Sequence, residues 1–274
     1  MDTILLLALL ASFSAGDSAS VRVVPDTPAS PVTRPVEAYR PTAVAGVSSR
    51  RQTATQTVFS RSNGILVAYR SRGGGVVPVI LTTRHSVEGY DTVSMGIYSG
   101  SGPSDSVTVE VMRIPLDGIV FHPDPAIDLA AVVITDLWPE GGPSPESVGI
   151  SSDMLLEASA FTEGLGLEVM GRQVRGITLF GAGSVDVRSG LLAFLRNSGD
   201  PFLSDVTVLN GYSGSPVMAP GGPGGPRVAG MVAARITLLE RGGTARGAGL
   251  SGNVLTEIVP SSCMLELLEL AAGD

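Results

Sequence analysis

The stretch LNGYSGSPVMA (209–219) sets Gly211 and Gly214 around Ser213 in a polar turn that runs straight into an apolar strand. A turn of this kind does two things at once. It lifts a serine hydroxyl out of the backbone, and Gly211 lets the chain turn so that the N–H groups of Gly211 and Ser213 point the same way. A serine hydroxyl is a poor nucleophile alone and needs a neutral imidazole to accept its proton. That imidazole in turn needs a carboxylate on its other ring nitrogen, to fix the tautomer and stabilise the cation.

Working outward, two segments supply those groups. ILTTRHSV (80–87) is a buried-strand run with His85 at its end, and IVFHPDPAIDLAAVVI (119–134) has Asp128 at the head of an apolar strand. His85, Asp128 and Ser213 fall in that order, 43 and 85 residues apart, each at an apolar strand edge. Rivals are weaker. His122 lies in a His-Pro turn, Asp124 and Asp136 do not head the apolar strand, and Ser215 is too far from the turn glycine. An α/β-hydrolase elbow needs Gly-x-Ser-x-Gly; Ser215 occupies the last glycine's place, and the order of the three residues is wrong for that class.

The rest of the chain has the texture of an all-β protein. Among 274 residues, 35 are Gly and 19 Pro, with 43% hydrophobic and only 16% charged. Short apolar or alternating runs recur at 55–61, 64–71, 76–83, 91–99, 105–114, 129–135, 156–163, 172–183, 191–196, 205–209, 214–219 and 227–235, separated by turn residues. The Gly/Pro-rich segment 220–226 cannot hold a ladder and reads as a hairpin loop. Near the end, SSCMLELLELAA (261–272) shifts to a helical period, with Ser261 or Ser262 placed to cap it.

Composition excludes several classes. The net charge of −8 argues against nucleic-acid binding. All 18 basic residues are Arg, so Schiff-base, Walker-type and Ser-Lys chemistry have no lysine to use. One cysteine, Cys263, rules out an internal disulfide, and with only two His no typical structural zinc site can be built. No metal or cofactor is expected, and packing alone must hold the fold.

Residues 1–16 carry the apolar run ILLLALLASF (4–13), too short to span a bilayer as a helix but suited to a signal peptide, despite the acidic Asp2. The expectation is a secreted or periplasmic protein, with membrane association through 4–13 as the alternative. Residues 17–52, with five Pro, read as an extended linker or pro-segment in which Arg50-Arg51 forms a dibasic pair.

These boxes resemble those of the trypsin-like, chymotrypsin-fold serine peptidases over about residues 53–272. Leu81 to Ser86 stand in the family's histidine box, Ile127 to Ala131 in its aspartate box, and Gly211 to Pro216 in its serine box. The Ser-Gly-Ser-Pro-Val form is most similar to the bacterial glutamyl-endopeptidase-like and viral branches. The resemblance implies two six-stranded antiparallel β-barrels, an N-terminal one over 53–140 with His85 and Asp128 and a C-terminal one over 141–274 with Ser213 and a closing helix. It implies a monomeric endopeptidase acting on peptide or protein substrates through an acyl-enzyme. The oxyanion hole would be the amides of Gly211 and Ser213. Thr207 would lie at the base of the primary pocket with Val208 beside it, and Ala233, Ala234 and Arg235 along its wall. No carboxylate stands at that base, so an uncharged small or medium side chain is the preferred substrate residue. Ser86 replaces a family cysteine. Tyr212 replaces the aspartate that, in zymogens, pairs with a new N-terminal ammonium, so the oxyanion loop must form without such processing. A catalytically inactive member serving as a binding or structural module, and a virus-encoded polyprotein-processing protease, remain open alternatives.

Overall fold

The computed structural model describes residues 43–99, 108–172, 185–195, 200–220, 225–239 and 252–274. The apolar segment 4–13, most of the 17–52 segment and most of the strand expected at 172–183 lie outside the described residues. No helix among the described residues is long and apolar enough to cross a membrane.

The first half is one sheet. Strands β1 (Val44–Gln52), β2 (Thr57–Arg70), β3 (Val76–Thr82), β4 (Thr92–Ser99), β5 (Thr108–Ile114), β6 (Ile119–Phe121) and β7 (Ala130–Val133) order as β5-β4-β1-β2-β3-β7-β6. After the short helix α1 (Pro145–Val148), strand β8 (Ile150–Ser151) adds a parallel pairing to β2. This eight-stranded sheet takes the place of the closed N-terminal barrel expected from the sequence: β5 and β6 are not paired with each other among the described residues. Pro115, which has no N–H for a ladder, ends β5; a 3-10 turn at Leu116–Gly118 follows, and β6 restarts on β7 with only three residues.

The second half is a closed six-stranded barrel of β9 (Gly166–Arg172), β10 (Val185–Phe194), β11 (Phe202–Ser204), β12 (Pro216–Ala219), β13 (Arg227–Leu239) and β14 (Gly252–Pro260), ordered β10-β11-β14-β13-β12-β9. Closure leaves no unpaired edge.

One boundary moves. β1 takes in Val44–Gln52, the last part of the stretch read as linker, because Val44, Ala45 and Val47 are buried and the strand is paired on both sides, by β2 and β4. Arg50 and Arg51 are therefore exposed residues of a paired strand. Past residue 140, Ile150 and Ser151 of β8 still pair with β2 of the first sheet.

Helix α2 (Ser261–Ala272) follows β14 directly. Its cap differs from expectation. Pro260 occupies the N-cap position without a side-chain bond, and the Ser261 hydroxyl donates instead to the Leu156 carbonyl at 2.5 Å. Gly273, at φ 75°, ends the helix in the left-handed conformation glycine tolerates. Cys263, Met264, Leu267 and Leu268 enter a core shared with Val67, Leu81, Leu129 and Ala131 of the first half and Met170, Met218, Met231 and Val259 of the second.

Candidate active site

His85 sits in a 3-10 turn, Arg84–Ser86, entered from the end of β3 through extended Thr83. Two local pairs hold this turn. Thr83 Oγ1 and Ser86 Oγ lie 2.6 Å apart, so Ser86 ties the turn by a hydrogen bond. Arg84 makes a two-point pair with Glu88 at 2.9 and 3.0 Å and covers the Phe121 ring at 4.8 Å. That pairing with Glu88 raises the Arg84 pKa and lowers that of Glu88.

Asp128 is presented by a tight three-residue turn, in which the Leu129 N–H donates to the Ile127 carbonyl at 2.8 Å. Ile127 and Leu129 point into the core on either side of it. The carboxylate meets His85 twice: Oδ1 accepts the His85 backbone N–H at 2.9 Å, and Oδ2 lies 2.6 Å from Nδ1. A carboxylate only accepts, so Nδ1 carries a proton, and in the neutral imidazole Nε2 then keeps its lone pair. The imidazole is thus oriented as a base, with its ring open to solvent.

Ser213 lies in the turn before β12. Its carbonyl accepts the Asn63 N–H at 2.8 Å, and the Asn63 carbonyl accepts Thr82 Oγ1 at 2.8 Å. The serine turn is therefore docked on the strand end that leads, three residues later, into His85. Among the described residues the Ser213 hydroxyl makes no hydrogen bond and His85 bonds only Asp128.

The amides of this turn alternate in use. Tyr212 N–H goes to the Leu209 carbonyl, Gly214 N–H to Val232 and Ser215 N–H to Tyr212, whereas among the described residues those of Gly211 and Ser213 have no internal acceptor. Gly211 is at φ 90° and Gly214 at φ 82°. A Cβ at Gly214 would stand 1.9 Å from the Asn63 carbonyl oxygen. Gly214→Ala is therefore expected to lower stability by about 3–5 kcal/mol, from left-handed strain plus a backbone clash, read as a fall in the urea midpoint. A midpoint equal to that of wild type would show that the close approach does not constrain the turn.

The rivals are placed elsewhere. His122 is buried, with Nδ1 accepting the Asp124 N–H at 3.2 Å and Nε2 facing Glu266 of α2 at 3.6 Å. Asp124 spends Oδ1 on the Ala126 N–H, Asp136 is exposed in a 3-10 turn, and Ser215 is fully buried. Of the residues assigned to a substrate pocket, Val208 and Ala233 are buried, Ala234 is half-buried, and Thr207 and Arg235 are exposed. Arg235 pairs with Thr256 across β13 and β14, and the buried Thr256 hydroxyl donates to the Val206 carbonyl at 2.6 Å.

One residue of this region was not legible in the sequence: Asn63. It lies between the runs 55–61 and 64–71, which read as two strands but form the single strand β2. No spacing rule marks it, because its side-chain partners are more than a hundred residues away.

No known family model matches the sequence, and no curated protein matches it. Solved structures do. The MamO protease domain from Magnetospirillum magneticum, in its apo form, shares 18% identity at a TM-score of 0.48, over 83% of this chain and 96% of that one. The Rv3671c protease from M. tuberculosis, in its active form, shares 16% identity at a TM-score of 0.47, over 85% and 82%. The HtrA-type protease AlgW, solved with a decapeptide, shares 14% identity at a TM-score of 0.50, over 87% of this chain and 66% of that one. At such identities the likeness to AlgW speaks to fold alone, and the fold it shows is the chymotrypsin-like one, here with one closed barrel and one open, curled sheet.

Proposed function

We propose that this protein is a serine endopeptidase working through an acyl-enzyme. His85 Nε2 takes the Ser213 proton as Oγ attacks the scissile carbonyl; Asp128 holds the ring and stabilises the imidazolium. The negative charge on the substrate oxygen is received by the amides of Gly211 and Ser213. His85 then returns the proton to the leaving amine, and water repeats the sequence on the ester. The observation that carries this reading is the pair of hydrogen bonds that the His85 backbone N–H and Nδ1 make to Asp128, at 2.9 and 2.6 Å, beside a serine turn whose amides at 211 and 213 have no internal acceptor among the described residues.

In this reading the substrate backbone lies along Ala233, Ala234 and Arg235, and its primary side chain enters beside Thr207 and Val208. The absence of a carboxylate at Thr207 favours an uncharged small or medium residue. Residues 4–13 add export or membrane attachment to the proposal.

The test is a fluorophosphonate probe on the full chain, with the adduct mapped by mass spectrometry. Labelling is expected at Ser213 alone, and heat-unfolded protein should not label. Labelling at another serine, or none at all, would overturn the proposal, and the latter would turn attention to a binding module on the same fold.

A further inference from the structure

We infer that Asn63 is a positioning residue for the oxyanion loop, an inference that rests on the protease reading above. Tyr212 stands where trypsin-like zymogens keep the aspartate of their activation lock, so something else must hold Gly211 and Ser213 in place. Asn63 is fully buried in β2, two residues before the end of the β2–β3 ladder at Ile65↔Leu81. Its main chain has outrun β3, and its N–H and carbonyl are handed to Ser213 and Thr82.

The side chain does more. Oδ1 accepts the Arg172 N–H at 3.1 Å, which fixes the orientation of the amide, since a backbone N–H only donates. Nδ2 therefore faces two carbonyls, Gly211 at 2.7 Å and Arg172 at 3.4 Å. One residue thus pins the carbonyls of both Gly211 and Ser213, the two whose amides would receive the oxyanion. Gly211 has no Cβ and would otherwise rotate at little cost, and the bond to its carbonyl anchors the chain on the Ser213 side of its Cα.

The pin has a rigid base. The Tyr212 ring packs on Gly171, where a Cβ would lie 2.3 Å from a ring atom. Arg172 follows directly: its Nε donates to the Val44 carbonyl at 2.9 Å, and its guanidinium lies 3.6 Å over the Tyr98 ring. Burial draws that guanidinium down to about 10, which leaves it charged at neutral pH. β1 and β4 of the open sheet therefore brace β9 of the barrel, and β9 braces Asn63.

The experiment compares full-length wild type with Asn63→Asp and Asn63→Gly. Asn63→Asp sets a carboxylate against the Gly211 carbonyl; Asn63→Gly deletes the side chain but keeps both main-chain bonds. The fluorophosphonate labelling rate is measured across pH, with thermal melting alongside. Both variants are expected to melt cooperatively and to show a plateau rate lowered about 100-fold, the order for one lost oxyanion donor, with the midpoint of the pH profile as in wild type. Plateau rates equal to that of wild type would overturn the inference. So would a midpoint that moves with the plateau, because Asn63 would then act through His85, or loss of cooperative melting in both variants, which would make it a stability residue. If wild type itself fails to label, the protease reading falls first.

Discussion

Ser213→Ala is expected to lower peptide hydrolysis by about 10⁵- to 10⁶-fold while leaving the melting curve unchanged. The loss is large because in the proposed mechanism the hydroxyl is the bond-forming group, and neither His85 nor the turn amides can replace it. Folding should be indifferent. Among the described residues the hydroxyl makes no hydrogen bond, and the contacts that seat the turn come from the Ser213 carbonyl and the Gly214 N–H, which Ala preserves. The check is hydrolysis of a peptide library by both proteins, side by side with calorimetry. Residual activity within tenfold of wild type would remove Ser213 from the mechanism.

Asp128→Asn is expected to cost about 10⁴-fold in kcat at neutral pH. The reason is one proton. Asp128 accepts from both the His85 backbone and Nδ1. An amide keeps one acceptor and turns its other atom into a donor. If the NH₂ faces Nδ1, the imidazole must accept there and carry its proton on Nε2, which can no longer take one from Ser213. The substitution changes hardly any volume, and Asp128 is only partly buried, so the melting temperature should hold. A loss of less than tenfold would mean that His85 is oriented by something other than this carboxylate.

Much of this was legible from residue pattern, and the failures have physical causes. The helical period of 261–272 predicted α2 with its bounds, because one face alone is buried and 3.6-residue spacing records that directly. The run 205–209 alternates as a strand should, and its burial does alternate, with Val206 and Val208 in and Asp205 and Thr207 out. Yet it forms no ladder: its main chain bonds Ser204 Oγ, Thr256 Oγ1 and the Leu191 carbonyl. Alternation reports which side chains are covered, not which backbone groups are paired. The run 156–163 contains a 3-10 turn at Ala158–Ala160 that delivers Phe161 to Phe202, with ring centroids 5.3 Å apart, and β14 was not expected at all. At the site, His85 and Asp128 could be read because each lies at a strand edge beside a run of apolar residues. Asn63 could not, since a polar residue within a strand looks like an interruption until the segment that satisfies it is in place.

The shared core under α2 has a consequence for how such a molecule fails. His85 and Asp128 belong to the sheet and Ser213 to the barrel, but Leu267 and Leu268 are buried among side chains of both. Neither lobe can shed the other without exposing that common apolar interior to water. Heat or denaturant should therefore dissolve the whole assembly in a single step, with no surviving fragment that keeps a working cleft. For the polypeptide-cutting role proposed above this matters in a crowded solution, where half-melted siblings would be the nearest food.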